Sequence, residues 1–226
     1  SDSLQKAKES LIKATKTNKN AVQAARNLFV LGQMYASENK PDSATTVFKK
    51  IVNFRKAPDK FKIHAQIAIA KNFPKDSSSV SLHKTLRKLI KNRDNRPYLD
   101  ALYYQVGVLE EYKDSISLAV ENYNKSLRAK NAKPTQKTYT YERLGNLYFK
   151  NNEVQLASSY YDSVLQVAEN KTALRIRRVK RKFKNLAALI AYEKTVKTND
   201  SILKLAAMPL ENQKAYFQEY NLALTY

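Results

Sequence analysis

Residues 141–164 read YERLGNLYFKNNEVQLASSYYDSV, and this stretch decides the fold. Tyr141, Leu144, Gly145 and Tyr148 stand at the spacing aromatic-x2-Leu-Gly-x2-Tyr, and Ala157 and Tyr161 follow at Ala-x3-aromatic. The spacing predicts one helical hairpin whose two antiparallel helices approach closely, with Gly145 and Ala157 supplying the room at the crossing. A glycine inside a helix costs about 1 kcal/mol relative to alanine, so it is retained only where close packing repays that cost. The chain holds three glycines, Gly32, Gly107 and Gly145, and all three occupy the same phase of the same pattern. Glycines serving ordinary turns would fall between helices instead.

With Ala70 taken as a fourth member, successive members of the series are 38, 37 and 38 residues apart. The first unit, 25–58, carries Leu28, Leu31, Gly32 and Tyr35, then Ala44, Phe48 and Ile51, with Pro41-Asp42-Ser43 expected at its turn. The second, 63–96, is degenerate: Ile69, Ala70 and Phe73 precede Leu82, Leu86 and Leu89. The third, 100–133, has Tyr103, Val106, Gly107, Ala119 and Tyr123, and Glu110 replaces the expected aromatic, which is expected to loosen its first helix. The fourth is 138–170. Longer connections between units, such as Ala57-Pro58-Asp59 and Ala132-Lys133-Pro134, account for the extra length per unit. The pattern resembles the tetratricopeptide (TPR) repeat. It implies an all-α, right-handed TPR solenoid of helical hairpins with a C-terminal capping helical segment.

Residues 1–17 carry Leu4, Ala7, Leu11 and Ala14 at helical spacing, with Ala7 and Leu11 matching a second repeat helix. Its partner would lie before residue 1, so the sequence is expected to start in mid-repeat, as a piece of a longer array; an opening Ser1 also fits a mature protein. Beyond Lys171 the repeat stops, and 171–226 reads as a basic amphipathic helix and helical tail. Ile176, Val179, Phe183, Leu186 and Ile190 form one apolar stripe suited to covering the last repeat. Residues 200–207 read as a short continuing helix and Pro209 as the start of another, with Tyr216, Phe217 and Tyr220 as anchors.

Lys and Arg number 41 against 20 acidic residues, a formal charge of +21 and a pI near 9.9. Such a balance favours an anionic partner: nucleic acid, an acidic protein face, anionic lipid or a wall polymer. The absence of cysteine excludes disulfides, thiolate metal sites and cysteine nucleophiles. No apolar run approaches the roughly 20 residues of a membrane span.

No catalytic constellation is visible, and the reading is of a non-enzyme without cofactor or metal. His64 and His83 stand in different helices, without a HExxH motif, a phosphate loop or a Gly-x-Ser-x-Gly elbow around them, and read as surface or packing residues. In TPR arrays the first helices line a concave groove. By phase its positions are Arg26, Phe29, Gln33, His64, Ile67, Lys71, Ala101, Tyr104, Val108, Tyr112, Tyr139, Glu142, Asn146 and Lys150. Asn146 and Lys150 alone do not reproduce the clamp by which chaperone-binding TPR domains hold C-terminal carboxylates. The densest basic run is Arg175, Arg177, Arg178, Lys180, Arg181, Lys182 and Lys184. It reads either as the solvated face of the capping helix or as a ridge for an anion or acidic partner, through Arg175, Arg177, Arg178, Arg181 and Lys182.

Residues 199–211, NDSILKLAAMPLE, together with Tyr160-Tyr161-Asp162-Ser163-Val164, resemble the PorW/SprE family of TPR lipoproteins from the Bacteroidetes type IX secretion and gliding-motility machinery. The resemblance implies a periplasm-facing, outer-membrane-associated scaffold, tethered by a lipidated cysteine outside this sequence, that binds other secretion components. Membrane contact would then be indirect, through the anchor. The alternatives are a basic nucleic-acid-binding helical repeat, disfavoured because its charges spread over the whole chain, and a TPR adaptor for cytosolic partners.

Overall fold

Helical periodicity with few glycines and prolines leaves helices as the regular structure of this chain. The computed structural model describes residues 2–17, 20–73 and 80–224, with side chains for all of these but 2–4, 16–17 and 222–224, and no strand occurs among them. The helices are α1 (Asp2–Thr17), α2 (Ala21–Ser37), α3 (Pro41–Asn53), α4 (Asp59–Lys71), α5 (Val80–Lys91), α6 (Leu99–Tyr112), α7 (Ile116–Arg128), α8 (Pro134–Lys150), α9 (Val154–Val167), α10 (Leu174–Ala206) and α11 (Leu210–Leu224). A 3-10 turn, Arg93–Tyr98, precedes α6. Two compact units result, Ser1–Thr140 and Tyr141–Tyr226, divided within α8.

Three hairpins share one packing device. A methyl group placed on Gly32 would stand 2.5 Å from the Phe48 ring, one on Gly107 2.6 Å from Tyr123, and one on Gly145 2.7 Å from Tyr161. In each case an aromatic ring from the second helix packs against the glycine of the first, sixteen residues earlier. The room at Gly145 therefore serves the Tyr161 ring; Ala157, which the spacing paired with it, is fully buried at its own position. The degenerate unit exchanges volumes at the same site. Ala70 replaces glycine, Leu86 replaces the ring, and the two share a core with Leu82, Val106 and Leu109. A methyl gained on one helix offsets atoms lost on the other, the kind of volume-conserving swap that cores tolerate.

The turns are equally uniform. Asn39, Asp114 and Asn152 adopt φ of 56°, 58° and 62°, each seven residues after its glycine. Asn and Asp tolerate this left-handed conformation better than other side-bearing residues. The following amide donates back across the turn, Lys40 N to Tyr35 O at 3.0 Å, Ser115 N to Glu110 O at 2.9 Å and Glu153 N to Tyr148 O at 2.9 Å. This is a Schellman cap, which satisfies carbonyls that the helix end leaves open.

Five-residue loops, 54–58 and 129–133, separate α3 from α4 and α7 from α8. The second is fixed by buried polar contacts: Asp100 accepts from the backbone N–H groups of Ala101 (2.8 Å) and Lys133 (3.0 Å). Ser126 Oγ donates to Asp100 O (2.7 Å) and lies 3.1 Å from Thr140 Oγ1.

Several sequence expectations are corrected. Pro41-Asp42-Ser43 is not the turn between the helices but the start of α3, with Pro41 at its first position, and residues 38–40 make the bend. Glu110 does not loosen α6, which continues to Tyr112; it is 5% exposed, with Oε1 2.7 Å from Nε2 of His83 on α5. An aromatic position has become half of a buried polar pair, which also gives His83 its place. On α1, Ala7 is exposed, whereas Lys8 is buried against Glu38 (2.7 Å) and the Tyr35 ring (5.6 Å to its centre); the side chain of Leu4 lies outside those described. The turn of the degenerate unit, residues 74–79, also lies outside the described residues.

In the second unit, Ile176, Val179 and Leu186 of α10 are buried against Tyr161, Val164 and Ala168, with Phe183 packed alongside. Residues 200–206 are the last turns of this same 33-residue helix, not a separate element. Tyr216, Phe217 and Tyr220 do not anchor α11: they are 45%, 53% and 54% exposed and contact one another, with ring centres 5.7 and 6.5 Å apart.

Two outcomes follow from this packing. Gly145→Ala is expected to destabilise the chain by about 1–2 kcal/mol, overpacking against Tyr161 outweighing the helix-propensity gain. Combined with Tyr161→Leu, its cost in urea denaturation should fall short of the sum of the single costs by about 1 kcal/mol or more; strict additivity would contradict the contact. Glu110→Leu should cost about 2 kcal/mol by leaving the His83 ring nitrogen unpartnered, and an unchanged denaturation midpoint would show that the pair contributes nothing.

Candidate functional site

The positions expected in a groove stand on the first helices of the hairpins, some exposed and some packed against the second helices. In the first unit α2 carries Arg26, Phe29 and Gln33, α4 carries His64, Ile67 and Lys71, and α6 carries Ala101, Tyr104, Val108 and Tyr112. Tyr139 stands on the part of α8 that belongs to this unit. Arg26, Gln33, Lys71, Tyr112 and Tyr139 are exposed; Phe29, His64, Ile67, Ala101, Tyr104 and Val108 are half-buried.

Aromatic contacts join α2 and α4 to the 3-10 turn. Phe29 lies with its ring centre 5.4 Å from Phe48, 6.4 Å from Phe61 and 6.3 Å from His64. His64 in turn meets Tyr98 edge to face at 5.1 Å, and the Lys133 ammonium stands 5.7 Å from the centre of the Tyr98 ring. Such edge contacts favour fixed ring orientations. Burial, together with the positive charge of Lys133, holds the His64 imidazole below the usual histidine range, with Asp100 opposing weakly. The setting of His64 in this aromatic row thus favours its neutral form. Elsewhere in the unit Tyr104 contacts Tyr123, with centres 5.7 Å apart, and Ile67 joins the core beside Leu82 and Leu86.

Tyr98 was missed in the sequence. The signal available was Asn92-Arg93-Asp94, where the Asn92 side chain accepts from Asp94 N at 3.0 Å and starts the 3-10 turn that delivers Tyr98.

The second unit treats its positions differently. Glu142 pairs with Arg175 of α10, and Asn146 Oδ1 accepts from both Tyr161 Oη and Lys182 Nζ at 2.8 Å. Lys182 Nζ also stands 5.6 Å from the centre of the Tyr161 ring. Burial and, second, the Glu142 charge push the Tyr161 phenol up to about 12. Two residues expected to line a groove and two expected to hold an anion thus contact each other. Lys150, Arg177, Arg178 and Arg181 are exposed.

A pH test isolates His64. Its folded-state pKa lies below the unfolded value, so the unfolded chain binds the proton first and stability falls as pH drops through about 6.5. His64→Phe, which keeps a ring against Phe29 and Tyr98, is expected to lose less stability than the parent between about pH 7.5 and about pH 5. Identical pH profiles would place His64 in a solvated setting.

No family model matches the sequence, nor does any curated protein. Among solved structures, one described as "Crystal structure of MamA" is similar at 20% identity, covering 73% of this chain and 88% of that chain, with a TM-score of 0.49. The hairpin assignment rests on the glycine-to-ring contacts and the repeated turns, not on this likeness.

Proposed function

We propose that the chain is a non-catalytic TPR scaffold that binds protein partners through the outward face of its first helices in the unit Ser1–Thr140. The observation that carries this reading is a half-buried row of contacting rings, Phe29, His64 and Tyr98, on helices that also carry the exposed cations Arg26 and Lys71 and the exposed amide of Gln33. Aromatic anchors held in place by neighbours bind at small cost in conformational entropy, and charged residues beside them select register and sign. An extended segment with acidic and apolar side chains suits such a face.

The setting we propose is an envelope complex of the type IX secretion and gliding-motility kind, with the chain facing the periplasm at the outer membrane. What supports that setting is the resemblance of residues 160–164 and 199–211 to the PorW/SprE family, and the partners would be other components of the same machinery.

The test is capture from nuclease-treated, detergent-solubilised envelope by the immobilised chain, compared with Arg26→Glu/Lys71→Glu. The parent should retain one or two secretion-system proteins in moderate salt, and the double variant should lose them by on the order of tenfold or more. Equal capture by both would remove the first-helix face from the interaction. Recovery of only nucleic-acid-associated material would replace the scaffold with a polyanion-binding function.

A further inference from the structure

From Lys171 to Tyr192 the sequence contains eight Lys or Arg residues and no Asp or Glu. Two of the eight, Arg175 and Lys182, turn toward α8 and are held by Glu142 and Asn146. Arg177, Arg178, Lys180, Arg181 and Lys184 are exposed, and no carboxylate among the described residues pairs with them. At 100° per residue, Arg177, Lys180, Arg181 and Lys184 fall within about a 100° arc whose centre lies about 130° around α10 from that of Ile176, Val179, Phe183 and Leu186. Arg178 flanks that arc. Farther along the same helix, on the flank that Arg178 shares, come Leu189, Tyr192 and Val196, which are 40%, 71% and 57% exposed.

We infer that this outer face of α10 docks on an anionic lipid bilayer, with the arginines and lysines on headgroup phosphates and Tyr192, Leu189 and Val196 in the boundary between headgroups and acyl chains. Three observations favour a bilayer over a soluble polyanion. The charge is of one sign along about the first five turns of α10, its cations gathered in Arg175–Lys184. The basic residues are exposed along one stretch of a single helix, a linear array that can meet a flat surface at several points at once. The continuing apolar residues give nothing to a phosphodiester backbone but partition into a lipid interface. No described helix is long and apolar enough to cross a membrane, so the contact is peripheral. This inference is independent of the first-helix face, and either can fail alone.

The experiment is co-sedimentation of the full chain with vesicles of phosphatidylcholine, with and without about a third phosphatidylglycerol. Each basic residue near an anionic surface strengthens association roughly fivefold. The parent should partition onto the anionic vesicles and hardly onto the neutral ones, and Arg177→Gln/Arg181→Gln/Lys184→Gln should lower that partition on the order of a hundredfold. These side chains are exposed, so the variant should fold as the parent does. Tyr192→Trp supplies a depth probe, whose fluorescence should shift to the blue and be quenched by brominated acyl chains in anionic vesicles. Equal partition onto both vesicle types, absence of quenching, or binding to RNA or polyglutamate without vesicle binding would each overturn the proposal.

Discussion

A ring seated on a glycine is the contact on which the rest of the chain depends. Removing the side chain from one helix lets an aromatic residue of the next lie against bare backbone, at Gly32, Gly107 and Gly145. The ring then occupies space that no Cβ can share, which fixes both the separation of the helices and their register. Once the register is set, the chain must reverse at a fixed distance from the glycine. Asn39, Asp114 and Asn152 make that reversal in the same left-handed conformation each time. Spacing, crossing and turn are therefore one constraint expressed three times, and the degenerate second unit meets the crossing with Ala70 and Leu86 in exchanged sizes.

Charge is distributed around that frame in two ways. Three cations beside the packed surface have specific acceptors: Lys8 reaches Glu38, Arg175 reaches Glu142 and Lys182 reaches Asn146. Partly buried ions need such partners, because desolvation without compensation is costly. The surplus, including most of the basic run on α10, faces outward, where water screens it. A chain of charge +21 can keep an apolar core on these terms, and its outward cations are left for association.

The hairpins were legible because their signal is local: glycine, alanine and aromatic residues at fixed intervals within some thirty residues. The turn signal was equally local and was overlooked, although Asn39, Asp114 and Asn152 stand at one offset from the glycines. The His83–Glu110 pair was not legible, since each residue alone looks like a departure from the pattern and only the packing of α5 on α6 brings them together. The aromatic row was half legible: phase put Phe29 and His64 at equivalent positions of neighbouring first helices, while Tyr98 arrives on a 3-10 turn beyond the repeat pattern. The tail misled for a physical reason, because aromatic residues at helical spacing promise a buried face whether or not a partner surface exists. On α11 they contact one another in solvent.

The most direct measurement uses the fact that the chain has three glycines. A sample labelled only at glycine gives one resolved signal per hairpin, and a ring seated on the backbone must shift the glycine α-protons and give nuclear Overhauser contacts to ring protons. The account predicts ring-shifted α-protons at all three positions, with contacts from Gly32 to Phe48, Gly107 to Tyr123 and Gly145 to Tyr161. An α-proton at its random-coil position, without a ring contact, at any of the three would contradict the shared register from which the fold has been argued.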